Sequence, residues 1–175
     1  MRITRLNASR RGISMMEVSL GTLLVGGVLA TTIELIGPTV RSSVLAGDRQ
    51  LAVAVADELL DEIATMPFGE PDGDTGVLGT DAGETSTARA QFDDVDDYNG
   101  YTARVTDRGG TQLAGFDASW RCVVEVRHVE VFNPRSTSLS LTGAKRVTVS
   151  VYRSGILLAE RSIIRTRVFN DARKR

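Results

Sequence analysis

Residues 10–38 read RRGISMMEVSLGTLLVGGVLATTIELIGP. From Ile13 to Ile36 the run is apolar apart from small hydroxyl and glycine residues and two acids, Glu17 and Glu34. As a helix rising about 1.5 Å per residue, this stretch extends roughly 36 Å, enough to cross a hydrocarbon core of about 30 Å. Arg2, Arg5, Arg10 and Arg11 precede it without an intervening acid. That flank is expected to stay in the cytoplasm, with the rest of the chain outside. An ionised carboxylate within lipid costs about 2.5–3.5 kcal/mol even on the most lenient insertion scale. Glu17, five residues into the run, therefore needs a cationic partner or surroundings other than lipid. Glu34 fits the outer boundary of the span. A secretory signal peptide also begins with basic residues and an apolar run, and Val28-Leu29-Ala30 offers it a cleavage site. Against that reading, the apolar character continues to Ile36, and Glu17 lies inside the run.

The segment Arg10-Arg11-Gly12-Ile13-Ser14-Met15-Met16-Glu17-Val18 resembles the cleavage and methylation signature of type IV prepilins and of type II secretion pseudopilins. In that family a basic leader ends in glycine, a dedicated peptidase cuts after it, and the new N-terminal residue is methylated. A glutamate stands fifth in the mature chain. By position, the resemblance implies cleavage after Gly12, a methylated Ile13 and an assembly role for Glu17. The ammonium of Ile13 in one subunit would pair with Glu17 of its neighbour, neutralising two charges that membrane burial penalises. The likeness covers about residues 8–40 in detail and the remainder in general layout. Ile13 departs from the family's usual phenylalanine, and Gly37-Pro38 places a helix weak point a few residues late.

Charge is segregated along the chain. Residues 1–56 carry six basic and three acidic groups, residues 57–117 three and fifteen, and residues 118–175 twelve and four. Halves of opposite sign attract one another, or present opposite faces to neighbouring copies. The overall formal charge of −1 lacks the basic excess of a nucleic-acid binder. One cysteine, Cys122, excludes an internal disulfide framework, and one histidine, His128, removes most His-based metal sites and triads. No Gly-x-x-x-x-Gly-Lys loop exists, so the chain is not an assembly motor.

Beyond Pro38 the spacing predicts an amphipathic helix over 38–66. Leu51, Ala52, Val55, Ala56, Leu59, Leu60 and Ile63 recur on one face, Asp57, Glu58, Asp61 and Glu62 lie mostly opposite, and Pro67 ends it. Residues 67–100 are rich in Gly, Asp, Thr and Ser and read as a long acidic loop. Two acidic clusters stand out there: Glu70, Asp72 and Asp74, then Asp93, Asp94, Asp96 and Asp97 before Asn99-Gly100. Carboxylates beside a glycine turn suit calcium, which takes six to eight oxygen ligands, so the second cluster is a candidate calcium site. Asp72-Gly73-Asp74 starts like a calcium loop, but Gly83 occupies the twelfth position. A solvated acidic loop explains the same residues.

Residues 101–170 read as antiparallel sheet. Trp120, Cys122, Val124 and Val126 alternate with polar residues, and the parity slips toward Val129 and Val131, predicting a bulge near His128. Val147, Val149 and Val151 form a second strand, Ser154-Gly155 a hairpin turn into 156–168, and Tyr101–Val105 an edge strand. Trp120 and Cys122 are expected in the core. The basic residues from Arg161 to Arg175 are expected on a solvated strand edge and tail, 171–175, that complements acidic surface.

The expected architecture is α+β: a leader (1–12), a long helix with a membrane half (13–37), and a C-terminal antiparallel sheet of three to five strands packed on its second half. The expected function is a structural subunit, a minor pilin or pseudopilin. The lack of the C-terminal disulfide loop that major pilins often carry favours that minor role. Its partners would be the prepilin peptidase, other subunits and the inner-membrane assembly platform. The alternative is an anchored or secreted extracytoplasmic binding domain, in which calcium would be the ligand. No constellation for an enzyme is present.

Overall fold

One helix, α1 (Met15–Thr65), carries both apolar patterns, passing through Pro38 and stopping two residues before Pro67. The structure, a computed structural model, describes residues 12–70, 76–81 and 83–167. The leader arginines, Asp72, Asp74 and the tail 171–175 lie outside the described residues. The chain divides into two compact units, one ending at Leu45 and the other beginning at Ala46.

In the first unit every residue from 12 to 45 is exposed, including Leu20, Leu23, Leu24, Val28, Leu29, Ile33 and Ile36. This part of α1 is long and apolar enough to span a membrane. The hydroxyl groups between Met15 and Ile36 bond within the helix: Ser19 donates to the Met15 carbonyl (2.9 Å), Thr22 to Ser19 (3.0 Å), Thr31 to Gly27 (3.1 Å) and Thr32 to Val28 (2.7 Å). Such back-bonding lets a hydroxyl sit in an apolar medium without water.

The second unit is an α+β fold, as the sequence leads one to expect. The inward face of α1 presents Ala52, Val55, Ala56, Leu59, Leu60 and Ile63, a helical spacing that buries one stripe. Leu51 falls out of phase and is 47% exposed, contrary to the pattern read from sequence. The stripe packs on an antiparallel five-stranded sheet of β1 (Thr102–Ala103), β2 (Trp120–Glu130), β3 (Asn133–Thr137), β4 (Ala144–Arg153) and β5 (Ile156–Thr166). The order is β1-β2-β4-β5, with β3 also pairing β2. Register sets Cys122 against Val151, Val124 against Val149 and Val126 against Val147, so one face of the two central strands is continuously apolar. Those pairs form the floor under α1.

Ser154 and Gly155 join β4 to β5 with φ of 51° and 80°. Both signs are positive, as the twist of a two-residue hairpin requires. The register irregularity falls between Val129 and Glu130, next to His128 and where β2 meets β3, as the slip in parity leads one to expect. Two features differ from the sequence reading. The edge strand near Tyr101 shrinks to two residues, Thr102–Ala103. β3 itself contains Pro134 and no apolar alternation, so backbone pairing at the end of β2 makes it a strand.

Arg165 departs from the solvated edge expected of it. It is buried on β5, and its guanidinium donates to the Ala64 carbonyl and to the Met66 carbonyl (2.7 Å). The first is a carbonyl of the last turn of α1 and the second lies one residue past it, where the helix supplies no further donors. Arg161 does stay half-exposed, 3.4 Å from Asp57. Replacing Arg165 by Met should therefore cost about 1.5–3 kcal/mol, the range for hydrogen bonds to a charged group. Arg161→Met should stay within about 1 kcal/mol. Urea unfolding of the detergent-solubilised chain, followed by the fluorescence of its single, buried Trp120, measures both.

Candidate functional site

Two groups of residues qualify, one in each unit. At the N-terminus of α1, Gly12 and Ile13 are exposed, and Ile13 leaves 76% of its surface uncovered. Ser14 begins the helix: its hydroxyl accepts the Met16 N–H (3.3 Å), and its carbonyl accepts the N–H groups of Glu17 (3.0 Å) and Val18 (3.1 Å). Glu17 lies in the first turn, where the helix dipole favours an anion. Gly12 and Ile13, just before α1, and Glu17 in its first turn are thus all exposed.

The second group is built by the acidic segment of the second unit. Few apolar residues mark this stretch in the sequence, yet Phe68, Phe92, Val95 and Tyr98 are almost wholly buried. Phe92 stacks edge-on against Tyr98 (4.9 Å between ring centres) and Tyr101 (5.8 Å). Tyr98 donates its hydroxyl to Glu62 on α1 (2.7 Å), and the Arg89 guanidinium lies 3.3 Å from the same carboxylate. The Val95 N–H donates to the Pro67 carbonyl (3.2 Å), and the Val126 N–H to the Asn99 side chain (3.1 Å). The segment is irregular but firmly anchored, with two short 3₁₀ turns at Arg89–Gln91 and Asp96–Tyr98.

The four aspartates of this segment separate in role. Asp96 points to Lys145 on β4, a fully buried lysine whose ammonium donates to Asp96 (2.6 Å) and to the Phe68 carbonyl (2.6 Å). The same ammonium lies 4.3 Å from the centre of the Phe68 ring. Asp96 thus has a cationic partner, and it is absent from the close carboxylate groups described below. Asp94 and Asp97 turn the other way. One oxygen of Asp97 accepts the N–H groups of Asp93 (2.9 Å) and Asp94 (3.1 Å), and one oxygen of Asp94 accepts those of Asp96 and Asp97. The second oxygen of each, Oδ2 of Asp94 and Oδ1 of Asp97, is buried and has no hydrogen-bond partner.

Two further acids complete the group. Carboxylate oxygens of Glu70, Asp94 and Asp97 lie within 4.8 Å of one another, as do those of Glu84, Asp93 and Asp97. Asp97 belongs to both triads. Crowding raises the proton affinities. A hydrogen bond shared with Asp81 is the main cause lifting Glu70 to about 8, with loss of hydration and the charge of Asp94 adding to it. Loss of hydration dominates at Asp94, pushed up to about 7, with the charge of Asp96 next. Glu84 is raised by lost hydration and by its hydrogen bond to Asp97.

A cavity of about 190 Å³ lies nearby, lined by Glu58, Glu62, Arg89, Tyr101, Arg104 and Cys122 among others. Its Arg89 and Glu62 serve each other, and burial pushes the Cys122 thiol up to about 11, which leaves it protonated at neutral pH. Comparison of the chain with protein-family models, curated proteins and solved structures returns no match.

Asp94 lies before the 3₁₀ turn Asp96–Tyr98 and is linked to Asp97 reciprocally, each side chain accepting the other's backbone N–H (3.1 and 3.3 Å). Glu84 and Asp81 carry no sequence signal of this grouping, because a stretch of largely irregular chain that includes Arg89–Gln91 separates them from the aspartates. Two outcomes follow. Lys145→Met should cost about 3–5 kcal/mol by stranding a buried carboxylate, and Lys145→Met/Asp96→Leu should recover part of that loss in the same urea assay. A carboxyl group whose affinity for protons is raised on folding stabilises the fold below its ordinary pKa and ceases to do so as pH climbs through the raised value. In chelator, the melting temperature should therefore fall between about pH 4 and pH 8, and Asp94→Asn, which keeps the acceptor oxygen and removes the charge, should flatten that fall.

Proposed function

We propose that the chain is a structural subunit of a pilin-like fibre, a minor pilin or pseudopilin of a type IV pilus or type II secretion machine. The observation that carries this reading is the first unit. An apolar helix is exposed around its whole circumference, and a single acid stands one turn from its start, after a basic, glycine-terminated leader. Exposed apolar area on that scale requires lipid or other helices to cover it. Both coverings are what a subunit stored in a membrane and then drawn into a fibre experiences in turn.

In this scheme prepilin peptidase cuts between Gly12 and Ile13 on the cytoplasmic side, and the freed amino group is methylated. The subunit waits in the inner membrane with its sheet in the periplasm until the assembly platform extracts it. The Ile13 ammonium of one subunit then meets Glu17 of its neighbour. A charge-neutral contact in an apolar fibre core has few alternative partners, so it fixes the axial register of the stack. The second unit faces outward and carries whatever the fibre touches.

The competing reading is an exported binding domain whose first residues serve for transport. N-terminal sequencing and mass measurement of the protein from its host's membranes separate the two. A chain starting at methylated Ile13 is the expected result, whereas a start at Thr31 would discard Glu17 with a signal peptide and sink the fibre reading. Glu17→Val should leave membrane insertion intact and reduce incorporation into sheared fibres at least tenfold. Normal incorporation of that variant would remove the proposed pairing.

A further inference from the structure

We infer that the cavity between α1 and the loop at 104–113 is a binding site for a free α-amino acid with an apolar side chain. Three guanidinium groups line it, those of Arg89, Arg104 and Arg108, together with two carboxylates of α1, Glu58 and Glu62. Asp107 belongs to the same lining but is committed to its own turn, where its carboxylate accepts the Thr111 N–H (2.7 Å). Val55, Leu59 and Leu113 add apolar wall. A concave site with apolar walls and a few convergent polar groups is what a small molecule needs.

The charged groups are in place but incompletely used. The Arg89 side chain is 10% exposed, and one of its terminal nitrogens donates to the Thr106 carbonyl (3.0 Å). Its Nε–H lies 3.3 Å from Glu62 as an ion pair, yet it is buried and has no hydrogen-bond acceptor aligned with it. Native folds leave few buried donors in that condition, because each loses its hydration for no return. At the rim, the side chains of Glu58 and Arg104 are exposed and make no hydrogen bond or ion pair among the described residues. Arg108 donates to the Phe92 carbonyl (3.0 Å) and has further N–H groups to offer.

The placement of sign selects the ligand. Apart from Asp107, the acids come from α1, and the guanidinium groups come from Arg89 and the loop. A lone anion would meet Glu58 and Glu62, and a lone cation would meet three arginines, so neither gains from both sides. A zwitterion does. Its carboxylate takes the paired N–H groups of a guanidinium fork, and its ammonium takes Glu58. The cavity of about 190 Å³ holds about six waters at about 30 Å³ each, or on the order of ten non-hydrogen atoms at the density of a protein interior. That is the size of leucine or methionine, and it is too small for a peptide or a nucleotide. The apolar wall favours such a side chain over a charged one. A molecule held by Arg104 and Glu58 ties α1 to a loop whose backbone bonds close on itself, Asp107 to Thr111 (2.9 Å) and Leu113 to Val105 (3.4 Å). Binding therefore stabilises the second unit, whichever machine the first unit serves.

The test uses the full chain in detergent at neutral pH and fixed ionic strength. Thermal unfolding is followed by Trp120 fluorescence with L-leucine, L-methionine, glycine, N-acetyl-leucine or leucinamide, and calorimetric titrations accompany it. The expected result is a melting temperature at least about 3 °C higher in about 20 mM leucine or methionine, with half-saturation below about 1 mM. Glycine, which lacks the side chain, and the two blocked leucines, each of which lacks one charge, should bind at least tenfold more weakly. Arg104→Gln and Glu58→Gln, both at exposed positions, should melt near the wild-type temperature without ligand and weaken leucine binding at least tenfold. No response to leucine or methionine overturns the site. Undiminished binding in both variants overturns its placement in this cavity, and N-acetyl-leucine or leucinamide binding as tightly as leucine overturns the choice of a zwitterion.

Discussion

Lys145 holds the second unit together at its least regular point. Its ammonium is fully buried and is shared between the Asp96 carboxylate, the Phe68 carbonyl and the face of the Phe68 ring. A charge taken out of water is tolerated only when its neighbours replace the lost hydration. Here those neighbours come from β4, from the chain just beyond α1 and from the turn at Asp96–Tyr98. Fixing that turn determines where Asp94 and Asp97 point, so the carboxylate group depends on a lysine that is no part of it.

The charge segregation of the sequence resolves in two ways. Some acids of the middle segment and of α1 meet cations of the C-terminal half: Asp96 with Lys145, Asp57 with Arg161, and both Asp48 and Asp117 with Arg153. Others turn toward one another, as Glu70, Glu84, Asp93, Asp94 and Asp97 do. Attraction between opposite halves explains the first set. The second gathers negative charge against the Coulomb gradient, and raised proton affinities at Glu70 and Asp94 mark its cost.

The first unit obeys a different constraint. Its apolar residues are exposed on all sides of α1, and its hydroxyls bond to the helix's own backbone. Apolar area of that kind is stabilised by what surrounds it and not by packing within the chain. A fibre-forming subunit and a membrane anchor both meet that requirement. They part at Glu17, which an assembly contact needs and a plain anchor would be better without.

Periodicity in the sequence determined the elements whose packing is local and repetitive. The apolar run from Ile13, the stripe from Ala52 to Ile63, the alternation of Cys122, Val124 and Val126 against Val147, Val149 and Val151, and the Ser154-Gly155 turn were all legible. In each case side-chain direction follows from the spacing alone. The tertiary structure decided what no period encodes. It put Arg165 on the end of α1, buried Phe92, Val95 and Tyr98 beneath an acidic segment, and made Asn133–Thr137 a strand. It also divided four adjacent aspartates between a lysine and a carboxylate group joined by Glu70 and Glu84. Those outcomes depend on which distant residue arrives to satisfy a buried polar atom, and the linear order of the chain carries no record of that distance.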